Sequence, residues 1–295
     1  MQPAEARSGS IYDLGYRNYD GVRLGRAHTI FSLYLYTLRG AFGFGRRTSS
    51  KIIPIVIAVI AFIPAAGQLA IASVLTTQID VYTPSNYFAY IEVPVALFCA
   101  AIAPEISGRD QRQHTLSLYF SRALFRRDYA FAKLAAFASA LLVLTLVPQA
   151  VLVIGNGLTT DDLWGYITDN WADLPRTLVT GLSIAVMAAS VSLAMASQTP
   201  RRAWAAIGVF AWFLITFIVS GVLTVEVGGL GRYAVFFAPF QFIHGFTLWV
   251  FNKSPEVGSP LDHANFPFWV YPVTVLSYAT AGVAIVIRRF DRIPA

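Results

Sequence analysis

The chain has 295 residues, of which 56% are hydrophobic and only 13% charged, with a formal net charge of +6. A soluble domain carries about 25% charged residues, so this balance excludes a water-exposed globule. One cysteine, Cys99, excludes an intrachain disulfide and a cysteine-rich metal site, and basic residues that flank apolar runs instead of sharing one soluble face exclude a nucleic-acid surface.

Residues 1–51 read as a cytoplasmic N-terminal segment, with no apolar stretch in the first 25 positions that would serve as a signal peptide. Within it, residues 27–42 place Phe31, Leu35, Leu38 and Phe42 on one face at helical spacing, with Ser32, Tyr36 and Arg39 away from it. This pattern predicts an amphipathic helix along a membrane surface. Arg23, Arg26, Arg46, Arg47 and Lys51 bracket it, and each gains about 1 kcal/mol beside anionic headgroups. Residues 40–47 have glycines at phosphate-loop spacing, but Arg46 and Arg47 stand where that loop needs Lys and then Ser or Thr, so no nucleotide site is expected.

Six runs are long enough to cross a hydrocarbon core as helices, which takes roughly 17 to 25 residues. They lie at 52–75, 87–103, 134–154, 177–196, 203–225 and 266–287, forming a transmembrane domain over 52–287 with a short tail at 288–295. The runs are continuously apolar and lack the alternation of barrel strands, so the expected fold is an all-α polytopic membrane protein. With the N-terminus inside, all but Arg176, Arg232 and Lys253 of the 22 lysines and arginines fall on the inner side. The positive-inside rule then places both termini in the cytoplasm, with the chain in the plasma or inner membrane.

Glu92 is the one ionisable residue deep in a predicted span, two positions before Pro94. It reads either as a substrate or proton site or as a protonated carboxyl bridging a proline kink. Gln68, in the first span, reads as a hydrogen bond to a neighbouring helix more readily than as a ligand contact. Between the second and third spans, residues 104–133 form a long loop with Leu116, Leu118, Tyr119, Phe120, Leu124, Phe125 and Tyr129. That is too many apolar groups for free solvation, and it predicts packing against another protein or the membrane.

Beyond the fifth span, the external segment 226–265 contains an aromatic run, 233–251, with Pro239, Gln241, His244 and Gly245 inside it. We read it as external re-entrant or interfacial helices at headgroup level, the alternative being a seventh crossing that would place the C-terminal arginines outside. His28, His114, His244 and His263 show no ligand spacing, and no hydrolase motif is present, so neither a metal site nor an enzyme is expected.

Several of these pieces together resemble the permease subunit of type 2 ABC exporters. The most specific is Pro104-Glu-Ile-Ser-Gly-Arg-Asp, then Thr115-Leu-Ser-Leu-Tyr-Phe-Ser-Arg-Ala-Leu, Arg127-Asp-Tyr and Lys133-Leu. Glu105, Gly108, Leu116, Leu118, Ser121, Leu124 and Lys133 stand at matching positions. The opening Ile11-Tyr-Asp-Leu-Gly-Tyr-Arg looks like that of permeases from high-GC Gram-positive bacteria. A departure is Ala103-Pro104-Glu105, where the family often has an acidic cluster; Pro104 argues against a second helix running straight on. The resemblance implies a homodimeric path in the bilayer and two copies of a separate cytoplasmic ATPase that holds ATP and Mg, with no cofactor in this chain. It implies ATPase docking on residues 116–125, with Glu105 and Arg109 as polar contacts, an Arg39–Glu105 salt bridge, and ATP closure that swings the first three helices. The competing readings are a passive membrane scaffold and a proton-coupled secondary transporter using Glu92.

Overall fold

A computed structural model describes residues 21, 24–45, 48–74, 84–113, 115–121, 124–159 and 163–292. Among these every regular element is helical: α1 (Arg26–Ala41), α2 (Ser49–Val74), α3 (Pro84–Tyr90), α4 (Glu92–Arg112), α5 (Leu116–Phe120), α6 (Arg126–Thr159) and α7 (Leu163–Asp169). There follow α8 (Asp173–Ala196), α9 (Arg202–Val222), a π turn and a 3-10 stretch (Gly229–Phe237), α10 (Pro239–Phe251), α11 (Pro260–Ala264) and α12 (Val270–Asp291). Five helices are long and apolar enough to cross a membrane, and up to seven if two bent pairs each count as one span. The chain is therefore a multi-pass, all-α membrane protein.

Helices cover the runs read as spans, with shifted ends: α6 starts at Arg126 instead of 134, and α12 at Val270 instead of 266. The second run is broken at Ile91, where α3 and α4 meet at 47°. Pro94 falls in the first turn of α4, where a missing N–H costs nothing. The second helix does not stop at 103, where its apolar run ends: α4 runs through a buried Pro104 to Arg112. Proline is tolerated inside packed membrane helices because neighbours satisfy the freed carbonyl. With α6 starting at Arg126, the expected 30-residue loop contracts to 113–125 and contains the five-residue α5.

At the centre stands α8, 67% of whose apolar window is buried against 17% for α9 and 22% for α12. Small residues make the close approach possible, as is usual between membrane helices. Ser190 of α8 meets Gly282 of α12 so tightly that a Cβ on the glycine would lie 2.8 Å from the Ser190 carbonyl carbon. The outer faces of α2, α9 and α12 are apolar and bare, with Ile63, Ile207, Ile218 and Leu276 all exposed. In water such faces would aggregate; against acyl chains they are the native surface.

α1 forms where expected, but its buried face is rotated by about one residue. Leu33, Thr37 and Ala41 are buried with Ile30, Tyr34 and Leu38 beside them, whereas Phe31 is 56% exposed. The cause is a partner: α1 packs against α6 and α4, and the Tyr34 hydroxyl donates to Ser139 Oγ at 2.9 Å. Small side chains turn to the neighbours and the bulky Phe31 and Tyr36 remain outside.

Four contacts draw one set of helix ends together. Arg289 Nε donates to the Ser197 carbonyl at 3.0 Å, Arg126 Nη1 to the Asp291 carbonyl at 2.6 Å and Arg112 Nη1 to the Pro200 carbonyl at 3.1 Å. Arg202 Nε meets Glu105 at 3.0 Å. The ends of α4, α8 and α12 and the starts of α6 and α9 thus share one basic end of the bundle, where guanidinium groups suit the negative ends of the helix dipoles.

α9 carries the chain about 30 Å to the far end and α12 returns it over a similar distance. Residues 229–251 therefore leave from and return to the far end. Rings from the start of the segment touch the chain just before α12 there, Phe236 lying 4.7 Å and Tyr233 5.4 Å from Phe266 between ring centres. The segment bends by 88°, and α10 dips among α3, α8, α9 and α12. Its rings are less superficial than expected: Phe240, Phe242, Phe246 and Phe251 are buried in protein, Phe242 stacking on Tyr278 at 4.9 Å, while Tyr233, Phe237 and Trp249 are exposed.

Candidate functional site

The basic end gathers most of the residues singled out from sequence. α5 is a single turn wedged beside the start of α6. Leu116 at 5% and Leu124 at 4% exposure anchor it inward, whereas Leu118 is 67% and Phe125 64% exposed. The Ser121 hydroxyl donates to the Leu118 carbonyl at 3.0 Å and closes the turn. Tyr119 and Phe120 lie 5.7 and 5.8 Å from the Tyr129 ring, which in turn lies 5.1 Å from Phe290 of α12. Tyr129 is thus clasped between α5 and α12.

Beneath this aromatic cluster lies an ion pair that sequence reasoning missed. Lys133 Nζ meets Asp110 Oδ2 at 2.8 Å, with side chains only 6% and 7% exposed. The Tyr129 hydroxyl donates to the same oxygen at 2.6 Å, and Lys133 also donates to the Ile106 carbonyl at 3.1 Å. Burial of both charges is tolerated because each is paired and hydrogen-bonded. The only signals in sequence were an aspartate between Arg109 and Arg112 and, 23 positions on, a lysine at the edge of an apolar run, with nothing to join the two.

Glu105 meets Arg202 at 3.0 Å and Arg112 at 3.7 Å, in place of the expected Arg39. Its position on α4, continuous past Pro104, sets it against Arg202 at the start of α9. Gly108 leaves room for Arg112 to fold back toward Pro200: a Cβ there would lie 2.8 Å from Arg112 Nη1. Arg39 and Arg109 line a separate cavity with Tyr36, Gly40, Phe44 and Gly45.

Two concavities flank α5. One of about 310 Å³ separates it from α1, with Leu33, Tyr36, Leu118 and Leu124 in its wall. Another of about 640 Å³ adjoins Phe125, Arg126, Asp128 and Asp291. Arg26 Nη2 and Nε donate to both oxygens of Asp128 at 2.7 and 2.8 Å, and its guanidinium sits 4.4 Å over the Phe125 ring. Through this pairing α1 is fastened to the start of α6. An apolar knob thus stands between two hollows, with one exposed leucine and one cation-capped phenylalanine at its crest.

No family model matches the sequence, and no curated protein matches it.

The two intramembrane candidates lie apart from this end. Glu92 is the first residue of α4, at the 47° break, so its carboxyl sits at the positive end of the α4 dipole. Gln68, on α2, has a buried Oε1 with no hydrogen-bond partner among the described residues.

Proposed function

We propose that this chain is the membrane-spanning subunit of an ATP-driven exporter, crossing the inner membrane six times with both termini in the cytoplasm. Residues 229–251 form an external re-entrant hairpin, and two copies of the chain line the path. A separate ATPase, in two copies, holds ATP and Mg and docks on the knob formed by α5 and Phe125.

The observation that carries this reading is the exposure of Leu118 and Phe125 on a turn whose inner side is clasped to α6 and α12. A passive connector between two spans needs neither an apolar crest nor a buried ion pair beneath it. Orientation is supported by the charge at this end, since arginines and lysines gather on the cytoplasmic side. It is supported further by exposed Trp204 at the basic end and Trp164, Trp171 and Trp269 at the other, the two levels of an aromatic belt. Compared with the expected surface of residues 116–125, the docking surface narrows: Leu116 and Leu124 hold the turn in place, and Leu118 and Phe125 meet the partner.

Copurification tests the reading. The full chain should bring down an ATPase with a phosphate loop, and Leu118→Asp and Phe125→Asp should each abolish its recovery while leaving the chain monodisperse. Absence of any such ATPase from wild-type preparations, or undiminished recovery with both variants, refutes it.

A further inference from the structure

At the basic end, residues 42–45, which follow α1, border a cavity of about 620 Å³ lined by Tyr36, Arg39, Gly40, Phe44, Gly45 and Arg109. The cavity is built by the backbone. Gly43 has φ +76°, and a Cβ there would lie 2.6 Å from the Ser50 carbonyl oxygen, so the chain crosses itself where only glycine fits. The Phe44 amide donates to the Arg39 carbonyl at 2.9 Å, which holds the ring at the rim, 57% exposed. Lys51 brings its ammonium to 6.0 Å from that ring.

Charge around the cavity is one-sided. The side chains of Arg39, Arg109 and Lys51 make no ion pair with a described residue. Of the two carboxylates nearest in sequence to Arg109, Glu105 is paired with Arg202 and Arg112, and Asp110, which feels the Arg109 charge, has its hydrogen bonds taken by Lys133 and Tyr129. Guanidinium pairs left over in this way match phosphate oxygens.

Apolar surface continues from the same place. Ile52 and Ile53 follow Lys51 directly and are 56% and 49% exposed, and Ile55, Val56 and Val59 extend the bare face along α2. Ile53 also walls a smaller hollow that shares Gly40 with this cavity. Polar phosphate recognition and a path for acyl chains thus meet at the first turn of α2.

We propose that the cavity between Arg39 and Arg109 binds the phosphate of an anionic phospholipid of the inner leaflet, whose acyl chains lie along α2 from Ile52 onward. The inference rests on the membrane placement given above and not on the ATPase.

The test uses the purified full chain with phosphatidylglycerol and phosphatidylcholine at equal concentration, read by native mass spectrometry. Wild type should retain phosphatidylglycerol in preference to phosphatidylcholine. Arg39→Gln and Arg109→Gln should each weaken that retention by about tenfold, the scale of one charge-assisted contact. Arg176→Gln, at the opposite end, should leave it unchanged. Equal retention of the two lipids, or undiminished retention by the double variant, overturns the proposal. Displacement of the lipid by inorganic phosphate alone points to a free phosphate as occupant, and displacement by polyglutamate points to an acidic protein segment; either result also overturns it. Should the variants fold poorly, headgroup-photoactivatable phosphatidylglycerol on wild type decides the matter: crosslinks must fall within residues 36–45 or at Arg109, and labelling only elsewhere refutes the site. No arm contains an ATPase, so failure here and failure of docking are distinguishable.

Discussion

Lys133→Ala probes what holds the basic end together. The Lys133 ammonium and the Asp110 carboxylate meet at 2.8 Å with side chains 6% and 7% exposed, and the Tyr129 hydroxyl shares the same carboxylate oxygen. Taking two ions so far from water costs several kcal/mol each, and their mutual attraction offsets that cost only while both are present. Deleting the lysine strands a buried carboxylate, so the expected loss is about 3–5 kcal/mol. The exposed pair Arg127–Asp291, at 3.7 Å, bounds the comparison, because breaking it should cost under about 1 kcal/mol. The double variant Asp110→Leu/Lys133→Leu should recover most of the loss, since an apolar pair of similar bulk leaves no unpaired charge. Thermal unfolding of the detergent-solubilised chain, followed by tryptophan fluorescence, measures all three. At this chain length 1 kcal/mol moves the midpoint by about 2 °C. Lys133→Ala should therefore melt about 6–10 °C below wild type, and the double variant well above the single. The reasoning fails if the double variant melts as low as the single one, or if the single one moves by less than about 2 °C.

Two further outcomes bear on the bundle. In a Cys99→Ser background, Leu230→Cys and Val257→Cys stand on either side of the bent segment at 86% and 97% exposed positions. A membrane-impermeant thiol reagent should label both from outside intact cells, and labelling of only one means that 229–251 crosses. Gly282→Ala should cost about 1–3 kcal/mol in the same melt by forcing α12 off Ser190, whereas Gly67→Ala, with nothing within 4 Å of the new Cβ, should be neutral or slightly stabilising; equal effects at the two glycines would remove the argument for tight α8–α12 packing.

Much of the architecture was legible because the bilayer simplifies the code: long apolar runs mark where long helices lie, although the end of α4, at Arg112, and the start of α6, at Arg126, lie well beyond the apolar runs themselves. What was not legible depended on partners. The face of α1 could be drawn from periodicity, but its rotation was set by α4 and α6, which periodicity in α1 alone does not contain. Pro104 reads as a breaker in isolation and as an ordinary residue once packed. The aromatic run 233–251 was identifiable as unusual, yet nothing in its composition distinguished rings at headgroup level from rings among helices, because Phe240 and Phe237 are the same side chain in different company. At the candidate site, Leu118 and Leu124 were equivalent in sequence, and only the tertiary contacts separate the exposed one from the buried one. Asp110 and Lys133 lie 23 positions apart, and an ion pair at that separation needs the path of the chain between them.

That path also bears on how force would travel in the exporter reading. An amphipathic first helix followed directly by the first span suggests a push carried into the first three helices. The contacts suggest another route. α5 grips Tyr129 near the start of α6, and Tyr129 meets Phe290 near the end of α12. Both joints are ring packing over a buried ion pair, a stiff combination because a displaced ring would open the Asp110–Lys133 contact to water. The link from α4 to α9 is softer, since it runs through Glu105 and an Arg202 side chain that is 57% exposed. A displacement imposed on Leu118 and Phe125 therefore enters α6 and α12 before it reaches α9. It then meets α8 from both sides, through α12, whose Gly282 packs against Ser190, and through the 34-residue α6. In that mechanism α8 is the element that moves or holds, and the re-entrant α10, which rests on α8, α9 and α12 at the far end, is the part of the molecule that feels the result.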